Sequence, residues 1–380
     1  MPLFLLIRHG ESTANVREFE LALAARAQRL TPAQLAQQRL HLTTQPGTGM
    51  LEPNGDAELT ANGRTQAELL GQFWAKILQH RAQQGRVHII VSPMTRNLQT
   101  ADPLVRVLNK QLRCGKENTN SVRAVINPDL VEIPGFFHPD DAHMFFNLQA
   151  RLVPPAGAGG QGFDRPPESD RNSSRDVTGK YSWRPAGLSG NDIKRKFPWC
   201  RIPHCMLEPR DVGWWQTGCE SMDDIEARAV RLADSIEEMR ETLHRKDVVV
   251  IFTHGLMHNL LLNLLMARQF YGVSGGGDNA VADSKFRSIS RKPGSLFDRG
   301  WVQMHPGSNT STSCLSWDRG TRLVVHFLHR VDHLGPETGP DTLMRGYQHL
   351  GLANLEGQQK SKEHLVGYWG LKRDVAGAKL

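Results

Sequence analysis

An arginine and a histidine stand side by side at the end of an apolar run, in Leu3-Phe4-Leu5-Leu6-Ile7-Arg8-His9-Gly10-Glu11-Ser12-Thr13-Ala14-Asn15. A run of that length reads as a buried strand that delivers a cation and an imidazole to its C-terminal end. Gly10 then lets the backbone turn and approach a ligand closely. Arg8, Ser12, Thr13, Asn15 and backbone N–H groups are all able to donate hydrogen bonds to an anion there. An imidazole among phosphate donors suits covalent attack on phosphorus. An ordinary strand end with a solvent-facing histidine fits the pair equally well when it is taken alone.

Two other strand-like runs end in the same way. Val87–Val91 stops at Ser92-Pro93 with Arg96 just beyond, and Val248–Thr253 closes on His254-Gly255. A shorter apolar segment, Val125–Glu132, ends in an acid, with Asp129, Asp140 and Asp141 as neighbouring carboxylates. If these strands are parallel, their ends converge on one edge, where open α/β sheets bind ligands. Two imidazoles and two guanidiniums would share one pocket, and a phosphoryl dianion is the natural reason for such a gathering. Cys200, His204 and Cys205 lie close together but lack a second ligand pair, so no metal is expected there.

The positioning elements can be read from periodicity. Thr60 caps a helix whose apolar face runs through Ala67, Leu70, Phe73, Trp74, Ile77 and Leu78. A second helix begins near Arg96, and Pro103 is expected to restart it as a first-turn proline. Met222–His244 carries a clear stripe (Ile225, Ala229, Leu232, Ile236, Met239, Leu243), and Leu256–Leu265 continues from its strand as a buried helix. Strand and helix alternate, which implies a parallel sheet with crossover helices. Asn309–Trp317 and Leu323–Leu328 read as a closing antiparallel hairpin at the sheet edge. Polar, Gly- and Pro-rich stretches interrupt this frame, including Thr43–Glu58, Pro154–Asp192 and Gly272–Pro306. Trp199–Pro209 shows no regular pattern.

Composition sets the bounds. The chain has 380 residues, only 39% of them apolar, and a formal charge of +7, with a pI near 9.3. That balance favours an anionic ligand. The cations are not clustered and no nucleic-acid-binding motif is present, so no nucleic-acid partner is expected. The most apolar window, Val248–Met266, contains His254, His258, Asn259 and Asn263 and is not a membrane span. Leu3–Ile7 is too short for a signal-peptide core. Five scattered cysteines argue for a reducing compartment rather than a disulfide framework.

Taken in order, these pieces resemble the histidine phosphatase superfamily, in its phosphoglycerate mutase-like branch. They are Arg8-His9-Gly10-Glu11-Ser12 with Asn15, Leu59–Ala67, Ser92–Ala101, Glu132, Gly218-Cys219-Glu220-Ser221, Thr253-His254-Gly255 and Asn309-Thr310-Ser311. The resemblance implies a three-layer α/β/α sandwich on a mostly parallel sheet, with long loop insertions. It implies that His9 attacks phosphorus and becomes phosphohistidine. Arg8, Arg96 and His254 then hold the phosphoryl oxygens, and Glu132 serves as general acid and then base. Asn15, Ser12, Thr13 and Gly255 complete the substrate cradle, and neither metal nor other cofactor is needed. Glu11 and Glu220 are expected to support the cage structurally. Trp214 and Trp215 are placed either over the pocket or in the core. Cys219 stands where the family usually has a small residue.

The expected organisation is a catalytic domain over residues 1–335, with insertions at about 16–58, 144–210 and 268–306, then a tail over 336–380. Val16–Glu58 is long and lacks the compact aromatic and basic loop of the family's mutases. A phosphatase acting on a small phosphorylated metabolite is therefore favoured over a cofactor-dependent phosphoglycerate mutase or a fructose-2,6-bisphosphatase-like sugar phosphatase. A non-catalytic scaffold is disfavoured, because it would have no use for four clustered cationic or imidazole side chains. The final Ala378-Lys379-Leu380 resembles the Ser-Lys-Leu peroxisomal signal. A peroxisome-type microbody (glycosome or peroxisome) is thus the expected location, otherwise the cytoplasm, with an import receptor as partner.

Overall fold

The computed structural model describes residues 1–17, 20, 27–28, 56–113, 121–133, 187–206, 222–271, 309–318 and 322–334. Most of the three expected insertions, the segment holding Trp214, Trp215, Cys219 and Glu220, and the tail with Ala378, Lys379 and Leu380 lie outside the described residues.

Seven strands form one sheet. In chain order they are β1 (Leu3–Arg8), β2 (Val87–Val91), β3 (Ala124–Ile126), β4 (Cys200–Arg201), β5 (Val248–Thr253), β6 (Thr312–Trp317) and β7 (Leu323–Arg330). Across the sheet the order is β4-β3-β2-β5-β1-β6-β7. The first five strands in that order are mutually parallel. β6 and β7 close the edge antiparallel, as the hairpin pattern predicts.

Strands buried on both faces read as continuous apolar runs, and β1 and β5 obey this. Leu5, Ile7, Val250 and Phe252 pack on one face with α1 (Ala61–Gln83) and α2 (Thr95–Arg113). Phe4, Leu6, Val249 and Ile251 pack on the other face with α4 (Met222–Thr242) and α5 (Gly255–Tyr271). The fold is thus a three-layer α/β/α sandwich. Among the described residues, no helix is long and apolar enough to cross a membrane.

Two expectations are corrected. Pro103 does not restart a helix: α2 runs unbroken from Thr95 to Arg113 with Pro103 inside it. The missing N–H is tolerated because that turn is pressed against α1. A Cβ on Gly71 would come within 2.7 Å of both Pro103 Cβ and Leu104 N, so packing overrides the local preference. Nor is the stretch from 144 to 210 wholly an insertion. Ser189 caps a short helix, α3 (Gly190–Lys196), and Cys200–Arg201 pairs with β3 as the sheet's edge strand. Two residues are too few to show a strand period.

Candidate active site

Because β1, β2, β3 and β5 are parallel, their C-terminal ends share one edge. Arg8 lies opposite Thr253 in the β1–β5 ladder, and Val91 opposite Phe252 in the β2–β5 ladder. His9, Ser92 and His254 therefore leave the sheet side by side. α2 begins at Thr95, so Arg96 stands in its first turn beside them.

His9 is 2% exposed and held on three sides. Its N–H donates to Thr253 O (3.1 Å), its carbonyl accepts from Thr310 N (3.1 Å), and the next N–H, of Gly10, donates to Thr100 Oγ1 (3.0 Å). The ring Nδ1 lies 2.7 Å from Gly10 O. A carbonyl only accepts, so Nδ1 carries the proton and Nε2 bears the lone pair. Arg96 Nε donates to that lone pair at 3.3 Å. Burial first, then the charges of Arg96 and Arg8, hold the imidazole well below its usual pKa, outweighing the bond to Gly10.

His254 is fully buried, with Ser92 Oγ at 2.9 Å and Asn97 Nδ2 at 2.7 Å from its Nε2. It too is lowered well below the usual range, by burial and then by Arg96, His9, Arg228 and Arg8. Glu132 reaches the same place from the turn after β3. Its carboxylate accepts from Ile133 N (3.0 Å) and from two N–H groups in the first turn of α5, Met257 (3.2 Å) and Leu256 (3.4 Å). One donor atom each of His9, His254 and Glu132 lie within 4.8 Å of one another. These three could seat a small cation by distance alone. The guanidiniums whose charge already depresses both imidazoles make the place anion-seeking instead.

The cage has a floor that only glycine permits. A Cβ on Gly63 would fall 2.0 Å from Glu11 O, and one on Gly10 would fall 2.7 Å from Gly63 O. The start of α1 thus lies directly on the loop after β1. Thr60 caps α1 with its Oγ1 (2.9 Å to Gly63 N) and donates from the same oxygen to Glu11 Oε1 (2.6 Å). This is the supporting role expected of Glu11.

Residues 42–117 match the family model of the histidine phosphatase superfamily (branch 1). That stretch contains Gly63, Ser92, Arg96 and Thr100, and the fold brings His9, Glu132 and His254 to it from outside. The match covers about one fifth of the chain.

Solved structures similar to this chain include three named as phosphatases. Phosphoserine phosphatase from Entamoeba histolytica is 14% identical, with 88% of this chain and 100% of that one covered and a TM-score of 0.37. A mycobacterial glucosyl-3-phosphoglycerate phosphatase is 15% identical, with 87% and 99% covered and a TM-score of 0.35. The alpha-ribazole phosphatase from Shigella flexneri is 14% identical, with 87% and 96% covered and a TM-score of 0.35. These likenesses fix neither reaction nor substrate. No curated protein matches the chain.

Of the residues singled out in the sequence, the fold brings Arg8, His9, Arg96, Glu132 and His254 together, and Gly255 opens α5 beside them. Ser12 and Asn15 are engaged with each other: Ser12 Oγ and N lie 3.0 and 3.1 Å from Asn15 Oδ1, at the start of the helical turn over 13–17. Thr13 donates its N–H to Glu58 O (2.9 Å), while its Oγ1 is buried without a hydrogen-bond partner among the described residues.

Two residues went unread. Asp56, 1% exposed, sits 3.8 Å from Arg96 Nη1 and accepts from both the N–H and the hydroxyl of Thr95. It lies in a stretch that reads as a Gly/Pro/Thr loop. Arg228, on α4, reads as the polar side of an amphipathic helix. Its guanidinium instead turns inward to backbone carbonyls, and carbonyl-directed bonds leave no spacing signal.

Proposed function

We propose that this protein is a phosphatase of the histidine phosphatase superfamily that hydrolyses phosphomonoesters of small metabolites without a metal ion, through a phosphohistidine on His9. One observation carries the reading. The Nδ1 proton of His9 is committed to Gly10 O, leaving an uncharged Nε2 lone pair directed at Arg96 beside His254.

In the first step Nε2 forms a bond to phosphorus as the P–O bond to the alcohol breaks. Glu132, as the acid, gives its proton to the departing oxygen. Arg8, Arg96 and His254 carry the charge spread over the three phosphoryl oxygens. In the second step the Glu132 carboxylate takes a proton from water. The water oxygen bonds to phosphorus, the N–P bond breaks and inorganic phosphate leaves. The positive charge that other phosphatases draw from metals is supplied here by guanidiniums.

The test is hydrolysis of p-nitrophenyl phosphate in excess chelator, together with acid-labile labelling of the protein by a phosphorylated substrate. Wild type is expected to do both and His9→Ala neither. Equal activity in the two proteins would remove His9 as nucleophile, and loss of activity on chelation would remove the metal-free mechanism.

A further inference from the structure

Glu132 follows β3 by way of a single tight turn. Asn127 caps the 3-10 turn Pro128–Leu130, accepting from Asp129 N at 2.9 Å. Two arginines on α4 then grip that turn. Arg228, 3% exposed, donates from Nη1 to the carbonyls of both Asp129 and Val131, each at 2.8 Å. Arg231 places its fork on the Asp129 carboxylate, at 2.7 and 3.2 Å. Thr253 Oγ1 adds a bond to Leu130 O at 3.3 Å. The residue directly before Glu132 is thus fixed from α4, while its carboxylate is oriented from α5.

Burying a guanidinium costs several kcal/mol before its partners repay it. On a helix stripe with Ile225, Ala229 and Leu232 an aliphatic side chain would fill the space. The cation does something a leucine would not: it pins the main chain that carries the acid. A general acid works only within hydrogen-bond reach of the atom it protonates, and a displacement of about 1 Å costs roughly a hundredfold.

We infer that Arg228 is a positioning residue for proton transfer by Glu132, acting through the carbonyls of Asp129 and Val131 without touching substrate. This rests on the reading of Glu132 as general acid. That reading and the new one fail differently, because leaving groups separate them. p-Nitrophenolate departs with little help, whereas an alkoxide needs the proton.

The experiment compares kcat/KM for p-nitrophenyl phosphate and glycerol 2-phosphate in wild type, Glu132→Gln, Arg228→Met and Arg228→Lys. Glu132→Gln is expected to lose at least about a hundredfold on the alkyl ester and far less on the aryl ester. Arg228→Met should show the same selectivity, roughly 50-fold against less than threefold, with Arg228→Lys in between. Equal losses of Arg228→Met on both esters, or none on either, overturn the inference. If Glu132→Gln treats the two esters alike, Glu132 is not the acid and the inference falls with it. Should Arg228→Met fail to fold, Arg231→Met decides. Arg231 is exposed, and removing its guanidinium loosens the same turn, so a loss confined to the alkyl ester supports the inference, and an unselective or absent loss overturns it.

Discussion

The imidazole rings of His9 and His254 lie 5.1 Å apart between centroids, with their planes inclined by 60°. Burial and then the charge of Arg96 lower both rings' hold on a proton, and His9 adds to the effect on His254. At neutral pH the pair is therefore uncharged, so one ring is free to attack while the site still carries the charge of two arginines.

Activity should persist into acid. The proposed nucleophile must be unprotonated, and His9 is held well below the usual 6.5. A plot of kcat/KM against pH is expected to stay flat through pH 6.5 and to fall only well below it. A midpoint at or above 6.5 would contradict the burial of His9.

Stability should move with pH in the same window. A histidine whose folded pKa is depressed takes up its proton more readily when unfolded, so folding weakens as pH falls beneath 6.5. His9, His254 and His333 all have this sign. Burial brings His333, whose Nε2 lies 2.8 Å from Thr310 Oγ1, down to about 4. Its share of the loss is complete below about pH 4, on the order of 3 kcal/mol. Urea midpoints should be level above pH 7 and decline from 6.5 towards 4. His333→Gln should flatten that decline; an unchanged slope would count against the assignment.

Gly63→Ala should be among the most damaging single changes. Its Cβ would meet the Glu11 carbonyl at 2.0 Å, and neither backbone can yield without lifting α1 off the loop after β1. We expect a loss of about 3 kcal/mol in denaturant unfolding and a collapse of kcat. Gly85→Ala is the control: it sits at φ +68° with nothing within 4 Å of the new methyl, and should cost only about 1 kcal/mol.

Asp56→Ala should impair both stability and catalysis. It strips the acceptor from the Thr95 N–H and hydroxyl at the start of α2 and removes the carboxylate 3.8 Å from Arg96. A loss of about 2 kcal/mol and a roughly tenfold fall in kcat/KM are expected. Asp56→Asn should recover more of the stability than of the rate, since it restores an acceptor but not the charge. Thermal melts and steady-state kinetics on the two variants check this.

The frame and the meeting of His9 with His254 were legible because their signals are local. An apolar run that stops at Arg8-His9, and another that stops at His254, state both burial and chemistry within a few letters. The helix faces of α1 and α4 repeat often enough for their period to show. What escaped notice depends on distant partners. Asp56 means nothing until Arg96 is folded against it, and Arg228 is indistinguishable from a solvated arginine until its carbonyl acceptors arrive from beyond β3. Pro103 misled for the same reason, because only the close approach of α1 at Gly71 makes a proline acceptable in mid-helix.

The backbone of His9 and Gly10 is tethered at successive points to β5, to Thr310 and to Thr100. Such a residue cannot lunge toward its target. Across the two displacements proposed above, the nitrogen would stay put and phosphorus would make the journey, shuttling between a stationary ring and an oxygen that leaves or arrives.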